Sequence, residues 1–98
     1  MDINKIYKAL ASPIRRDILA WLKAPSINFD EKFVRFSHGV SAGQIHERCA
    51  VSKSTVSTHL AILHDAELVT SVRVGQWIFF KRNEVVVNAF LIELTQRL

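Results

Sequence analysis

The chain has 98 residues, 49% of them hydrophobic, with one cysteine and 13 Lys plus Arg against 9 Asp plus Glu, a formal charge of +4 at pH 7. That composition excludes a disordered chain, an internally disulfide-stapled scaffold and a large multidomain enzyme. No apolar run approaches the roughly 20 residues of a membrane span, and the basic excess favours a polyanionic partner.

Residues 3–11 place Ile3, Ile6, Tyr7 and Leu10 at helical spacing. Ser12 followed by Pro13 predicts a second helix, because a capping hydroxyl precedes a ring whose φ is already set. It is expected to run to about Lys23, bury Ile14, Ile18 and Leu22, turn Arg15 and Arg16 outward, and end at Pro25. Residues 24–40 carry Phe29, Phe33 and Phe36 at three- to four-residue spacing, which fits either an amphipathic helical turn or an irregular loop covering the core. Ser41 caps a short helix, "AGQIHERC", that turns Ala42, Ile45 and Cys49 inward. "AVS" makes a turn, and Ser52 caps the next helix, to about Ala66. "LVTSVRV" and "QWIFFKR" form a hairpin about Gly75. Asn83 caps a last helix, "EVVVNAFLIELTQRL". The expected fold is mainly α (α+β): a single domain over 1–98, about five helices and a two-stranded hairpin, with 24–40 as an insertion.

The stretch "SKSTVSTH" (52–59) opens a helix with residues that form helices poorly. At about 100° per residue, Ser54, Ser57, Thr58, Ala61 and Asp65 share one sector, and Val56, Leu60 and Leu63 share the opposite one. A helix with an apolar back and a slim, hydroxyl-rich front suits the DNA major groove, where hydroxyls bond base edges or phosphates. The first turn's free N–H groups, with Ser52 and the charge of Lys53, suit a phosphate. Two helices joined by a short turn and followed by a hairpin make a winged helix-turn-helix. Arg73, Gln76, Lys81 and Arg82 lie on the rim of that wing, and Arg73 and Gln76, which flank its tip, are the expected DNA contacts. Trp77, Ile78, Phe79 and Phe80 read as core and interface.

These motifs resemble the ArsR family of bacterial winged-helix repressors. "LASPIRRDILAWL" is similar to that family's opening signature, "VSKSTVSTHLAILHDAELV" to its recognition helix and wing entry, and "RVGQWIFFKRN" to its wing. The resemblance covers most of the chain outside 24–40. It implies a homodimer, operator binding and release when an effector binds. It also implies Ser54, Thr55, Ser57, Thr58 and His59 as DNA contacts. His59 sits about 140° from Ser54, at the shoulder of the reading face; a phosphate contact, a cap on the wing and a structural role all remain open for it.

Two metal sites common in the family are missing. Ser41 and Gly43 stand where one has its cysteines, and the last helix has no histidine for the other. His38, His46, Cys49 and His64 are the leftover ligand types. No metal and no cofactor are expected, and Cys49 reads as a small core hydrophobe. The insertion 24–40 fits core cover first, an effector pocket or a longer interface after that. In the last helix, apolar residues wrap nearly the whole circumference, more than one small chain buries. Ile3, Ile6 and Tyr7 with Val86, Phe90, Leu91 and Leu94 are therefore expected at a homodimer interface.

No nucleophile–base constellation, phosphate loop or carboxylate pair appears, so an enzyme is not expected. The reading is a regulator of the repressor type that binds double-stranded DNA as a homodimer in the cytoplasm, with no membrane association. It reads a roughly palindromic operator through 52–66 and 68–82 and is released by an unidentified small-molecule effector. The alternatives are a metal- or thiol-responsive repressor using Cys49 and nearby histidines, and a winged-helix module that binds protein.

Overall fold

The computed structural model describes residues 1–30 and 37–98. The expected helical turn through Phe33 and Phe36 lies outside the described residues. Chain order is α1 (Ile3–Leu10), α2 (Pro13–Lys23), α3 (Pro25–Asn28), β1 (Val40–Ser41), α4 (Ala42–Arg48), α5 (Lys53–Asp65), β2 (Val69–Val74), β3 (Trp77–Arg82) and α6 (Glu84–Arg97). This is a winged helix of mixed α+β class, with a three-stranded sheet in the order β1-β3-β2, antiparallel at both pairings. No described helix is long and apolar enough to cross a membrane.

The helix starts follow their caps. Ser12, Ser41, Ser52 and Asn83 each accept a backbone N–H three residues on, and Asp2 does the same for α1. The end of α5 is set by backbone alone. Glu67 has φ 62, its N–H donates to the His64 carbonyl at 2.9 Å, and the Leu68 N–H donates to the Leu63 carbonyl at 3.0 Å. That is a Schellman closure, and it turns the chain from α5 into β2. The hairpin tip puts Gly75 first, with φ 61, the glycine-first pattern of a type II′ turn.

The core gathers Ile6, Ile18, Leu22, Val40, Ile45, Val56, Leu60, Leu63, Leu68 and Phe90, with every helix except α3 contributing. α5 is thus held from behind by three apolar residues, which offsets the low helix propensity of its first turn. Phe29 is buried as well, edge-on to Trp21 with ring centroids 6.5 Å apart. Arg48 of α4 lies over the Trp21 ring at 4.7 Å, and its Nη1 donates to the Asn28 carbonyl at 3.0 Å. At residue 29, then, the segment after α2 covers the core.

Several expectations need correction. Pro25 does not end α2; Lys23 does, and Pro25 opens the single turn of α3, where its missing N–H costs nothing. The hairpin is joined by a third strand, β1, whose two residues pair Val40 with Phe80 and Ser41 with Phe79. Gly39 makes that pairing possible: its φ is 108, and a Cβ there would lie 2.3 Å from the Phe80 carbonyl oxygen. Cys49 is not inside α4 but caps its end, half-buried against the core. Arg15 does not face away; its side chain folds back over α1.

Candidate nucleic-acid interface

α5 carries its polar residues on one exposed front. Ser52, Lys53, Ser54, Thr55, Ser57 and Thr58 are all exposed, whereas Val56, Leu60 and Leu63 are buried. Hydrogen bonds within the helix orient the hydroxyls. Ser52 Oγ accepts the Thr55 N–H at 3.3 Å and lies 2.8 Å from Thr55 Oγ1 and 3.2 Å from Ser54 Oγ. Thr58 Oγ1 donates to the Ser54 carbonyl at 3.0 Å, so its remaining capacity is that of an acceptor. Ser57 Oγ sits 3.5 Å from His46 Nε2 on α4. Burial, and then the charge of Lys53, push the His46 pKa below its ordinary value.

His59 is half-buried at the edge of this front, with Nδ1 3.0 Å from Arg15 Nη1. Burial lowers its pKa, and the neighbouring Arg15 charge lowers it further. A neutral ring at pH 7 follows.

The wing stands out from this front. Cross-strand pairing places Arg73 opposite Ile78 and Val74 opposite Trp77, immediately before the Gly75–Gln76 turn. Arg73 and Gln76 are exposed at the tip. Arg82 is withdrawn from the rim: its Nε and Nη2 donate to the Glu84 carboxylate at 2.8 and 2.5 Å. That pairing raises the Arg82 pKa and lowers that of Glu84. Phe79 is buried and Phe80 half-buried, but Trp77 is 57% exposed and Ile78 is exposed too, so neither belongs to the core of the chain. A groove of about 520 Å³ separates α5 from the hairpin. His46, Ser57, His64 and Ser71 line it above a floor that includes Leu60 and Phe80.

The structure divides the apolar residues of α1 and α6, the expected interface among them, into three groups. Ile6 and Phe90 lie inside the core of the single chain, with Tyr7 edge-on to Phe90 at 5.8 Å. Tyr7, Val85, Leu91, Ile92 and Leu98 remain exposed. Ile3, Val86 and Leu94 are partly buried against the core. The apolar surface left on α1 and α6 is therefore narrower than the sequence pattern drew it.

Among the described residues, no three His, Cys, Asp or Glu side chains come together as a metal site. His38 packs its ring against Phe79, His46 pairs with Ser57, and His64 Nε2 lies 3.3 Å from Ser71 Oγ. Burial, and then Asp17, push the Cys49 thiol pKa up, which disfavours the thiolate that metals and oxidants need. Sequence reasoning missed Arg15 and His46 as neighbours of α5. The one signal for Arg15 was its place in the opening signature.

The family model for the bacterial regulatory protein, arsR family, matches residues 40–71, from β1 through α5 into β2. Over 86 residues the chain is 35% identical to the uncharacterized HTH-type transcriptional regulator YbzH of Bacillus subtilis (strain 168), covering 86% of each chain. It is 34% identical over 86 residues to the transcriptional repressor SdpR of the same organism, covering 88% of this chain and 81% of that one. The solved structure of HlyU from Vibrio cholerae N16961 superposes with a TM-score of 0.65 at 29% identity, covering 95% of this chain and 86% of that one.

Proposed function

The chain belongs to the arsR family of bacterial regulatory proteins, DNA-binding transcriptional regulators and not enzymes, and on that premise we propose that it is a homodimeric repressor of the SdpR kind. Each protomer reads one half of a roughly palindromic operator. Ser54, Thr55, Ser57 and Thr58 enter the major groove, Ser52 and Lys53 hold a phosphate at the helix start, and His59 meets the backbone at the edge. Arg73 and Gln76 at the wing tip reach the flanking groove. An effector releases the protein from DNA.

One observation carries this reading: six consecutive polar positions of α5, Val56 apart, are exposed on a helix whose back is locked into the core. Such a front is slim enough to approach base edges, and its hydroxyls have capacity left beyond their internal bonds. Dimerisation rests on Tyr7, Val85, Leu91 and Ile92, whose exposure on one small chain leaves an apolar surface that a second copy covers. A two-fold pair of α5 helices then spans about one turn of DNA.

The test is an anisotropy titration of a labelled mixed-sequence duplex at two salt concentrations, with sedimentation equilibrium alongside. Expected are a dimer, binding that weakens steeply with salt, and weaker binding by Lys53→Ala and Arg73→Ala. A monomer that binds no duplex at low salt would overturn the reading in favour of a protein-binding module.

A further inference from the structure

Arg15 leaves the first turn of α2 and reaches back across the end of α1 to α5. Its Nε donates to the Ala9 carbonyl at 2.7 Å and its Nη2 to the Lys8 carbonyl at 3.1 Å. Its Nη1 lies 3.0 Å from His59 Nδ1. The last carbonyls of a helix lack an i+4 partner within it; the Ala9 carbonyl belongs to that set in α1, and the Lys8 carbonyl accepts both Arg15 and the Ala11 N–H at 3.2 Å. The end of α1 therefore fixes where the guanidinium sits, and the guanidinium fixes the imidazole. His59 makes no other hydrogen bond among the described residues.

A guanidinium carries donors and no acceptor. Its contact with Nδ1 therefore needs the lone pair of that nitrogen. In a neutral imidazole the single proton then resides on Nε2. The ring is a donor at the edge that Arg15 does not occupy.

We infer that Arg15 is a positioning residue for DNA binding, holding His59 in the tautomer that offers Nε2–H to a phosphate oxygen of the duplex. This rests on α5 being the DNA-facing helix. Phosphate oxygens only accept, so a ring locked as a donor suits a phosphate at every sequence, whereas base edges present donors as well as acceptors. The opposite tautomer would turn a lone pair toward the anion. The surroundings also fit a backbone contact: beside His59, Thr58 shares a shallow groove between α5 and α1 with Lys5 and Lys8. Lys5 is paired with Asp65 at 3.1 Å, whereas Lys8 has no ion-pair partner among the described residues.

Two measurements on the full chain test this. Long-range ¹H–¹⁵N spectra read the tautomer directly and need no variant. His59 is expected with a proton on Nε2 and a bare Nδ1, and Arg15→Met is expected to give a mixture of tautomers. A wild-type ring protonated on Nδ1, or a spectrum unchanged by Arg15→Met, overturns the inference. The second measurement is a double-mutant cycle for binding to a mixed-sequence duplex about 30 base pairs long, roughly three helical turns. Arg15→Met should weaken binding roughly fivefold per half-site, because an unheld ring divides between two tautomers and about three rotamers and binds through one combination. His59→Leu removes both ring nitrogens, the acceptor that Arg15 holds and the donor that would face the duplex. In that background Arg15→Met should cost less than about twofold, because the ring it positions is gone. Equal losses in both backgrounds, with wild-type binding intact, would make Arg15 structural and overturn the inference alone. No binding by the wild type would overturn the DNA reading and this inference together.

Discussion

Replacing Ser52 separates helix stability from DNA affinity. Ser52 Oγ caps α5 by accepting the Thr55 N–H at 3.3 Å, and it is exposed at the helix start. Ser52→Ala removes the cap and should cost about 1 kcal/mol of folding stability, a melting shift of roughly 4–8 °C for a domain of this size. Ser52→Asp keeps a capping oxygen, and the carboxylate gains from the helix dipole by about 0.3–1 kcal/mol. Its melting temperature should equal or exceed that of the wild type. The same carboxylate would face the phosphate proposed at the helix start. Two unit charges about 4 Å apart repel by ~1 kcal/mol in bulk water and ~4 kcal/mol near a protein surface. The lower figure is a loss of roughly fivefold per half-site, and two half-sites make about thirtyfold. Thermal unfolding by circular dichroism and anisotropy with duplex DNA measure the two effects separately, and raised salt should shrink the second. An Asp variant that is as stable as the wild type and binds DNA within about twofold of it would refute a phosphate at the α5 start. One that melts as low as the Ala variant would refute the cap.

Other perturbations reach other parts of the molecule. Gly39→Ala puts a Cβ 2.3 Å from the Phe80 carbonyl oxygen at φ 108, and should cost about 3 kcal/mol or more in thermal unfolding as β1 is pushed off β3. Leu91 is half-exposed, so Leu91→Arg should leave the circular dichroism spectrum intact; by sedimentation it should yield a monomer, with duplex affinity down by roughly a hundredfold or more. The His46 and His59 pKa values lie below the ordinary imidazole value of 6.5 in the folded protein, so each neutral ring favours folding. That contribution is complete above pH 6.5 and is lost as the pH falls through the lowered folded values; His46→Gln with His59→Gln should flatten the denaturation profile there. Cys49, with its thiol pKa raised by burial, should alkylate with iodoacetamide at pH 7.5 more slowly than a free cysteine peptide, as followed by mass spectrometry.

The parts of this fold that depend on local chemistry are readable in the sequence. Ser12, Ser41, Ser52 and Asn83 announce their helices because a cap acts within three residues. The division of α5 into Val56, Leu60 and Leu63 behind and hydroxyls in front follows from helical period alone. β1 was not readable: two residues carry no period, and its pairing depends on a glycine lying against β3. The turn of Arg15 toward α1 and His59 was hidden for a related reason, since it joins residues 44 apart in the chain. Helical period also overstated the free surface of α6, because it cannot tell that Phe90 finds its partner in Tyr7 of the same chain. Trp77 and Ile78, read as core and interface in a β-rich segment, lie outside the core; of the hairpin, Val69 and Phe79 are buried and Phe80 packs against the core.

Selection of bound duplexes from a random-sequence pool, with sequencing, tests most directly whether α5 reads DNA as one of a two-fold pair. The wild-type protein should enrich an inverted repeat with half-sites about one helical turn apart, and Ser57→Ala plus Thr58→Ala should lose that motif while keeping salt-sensitive binding to any duplex. Enrichment of no motif by the wild type, or the same motif retained by the double variant, would contradict a reading role for the α5 front.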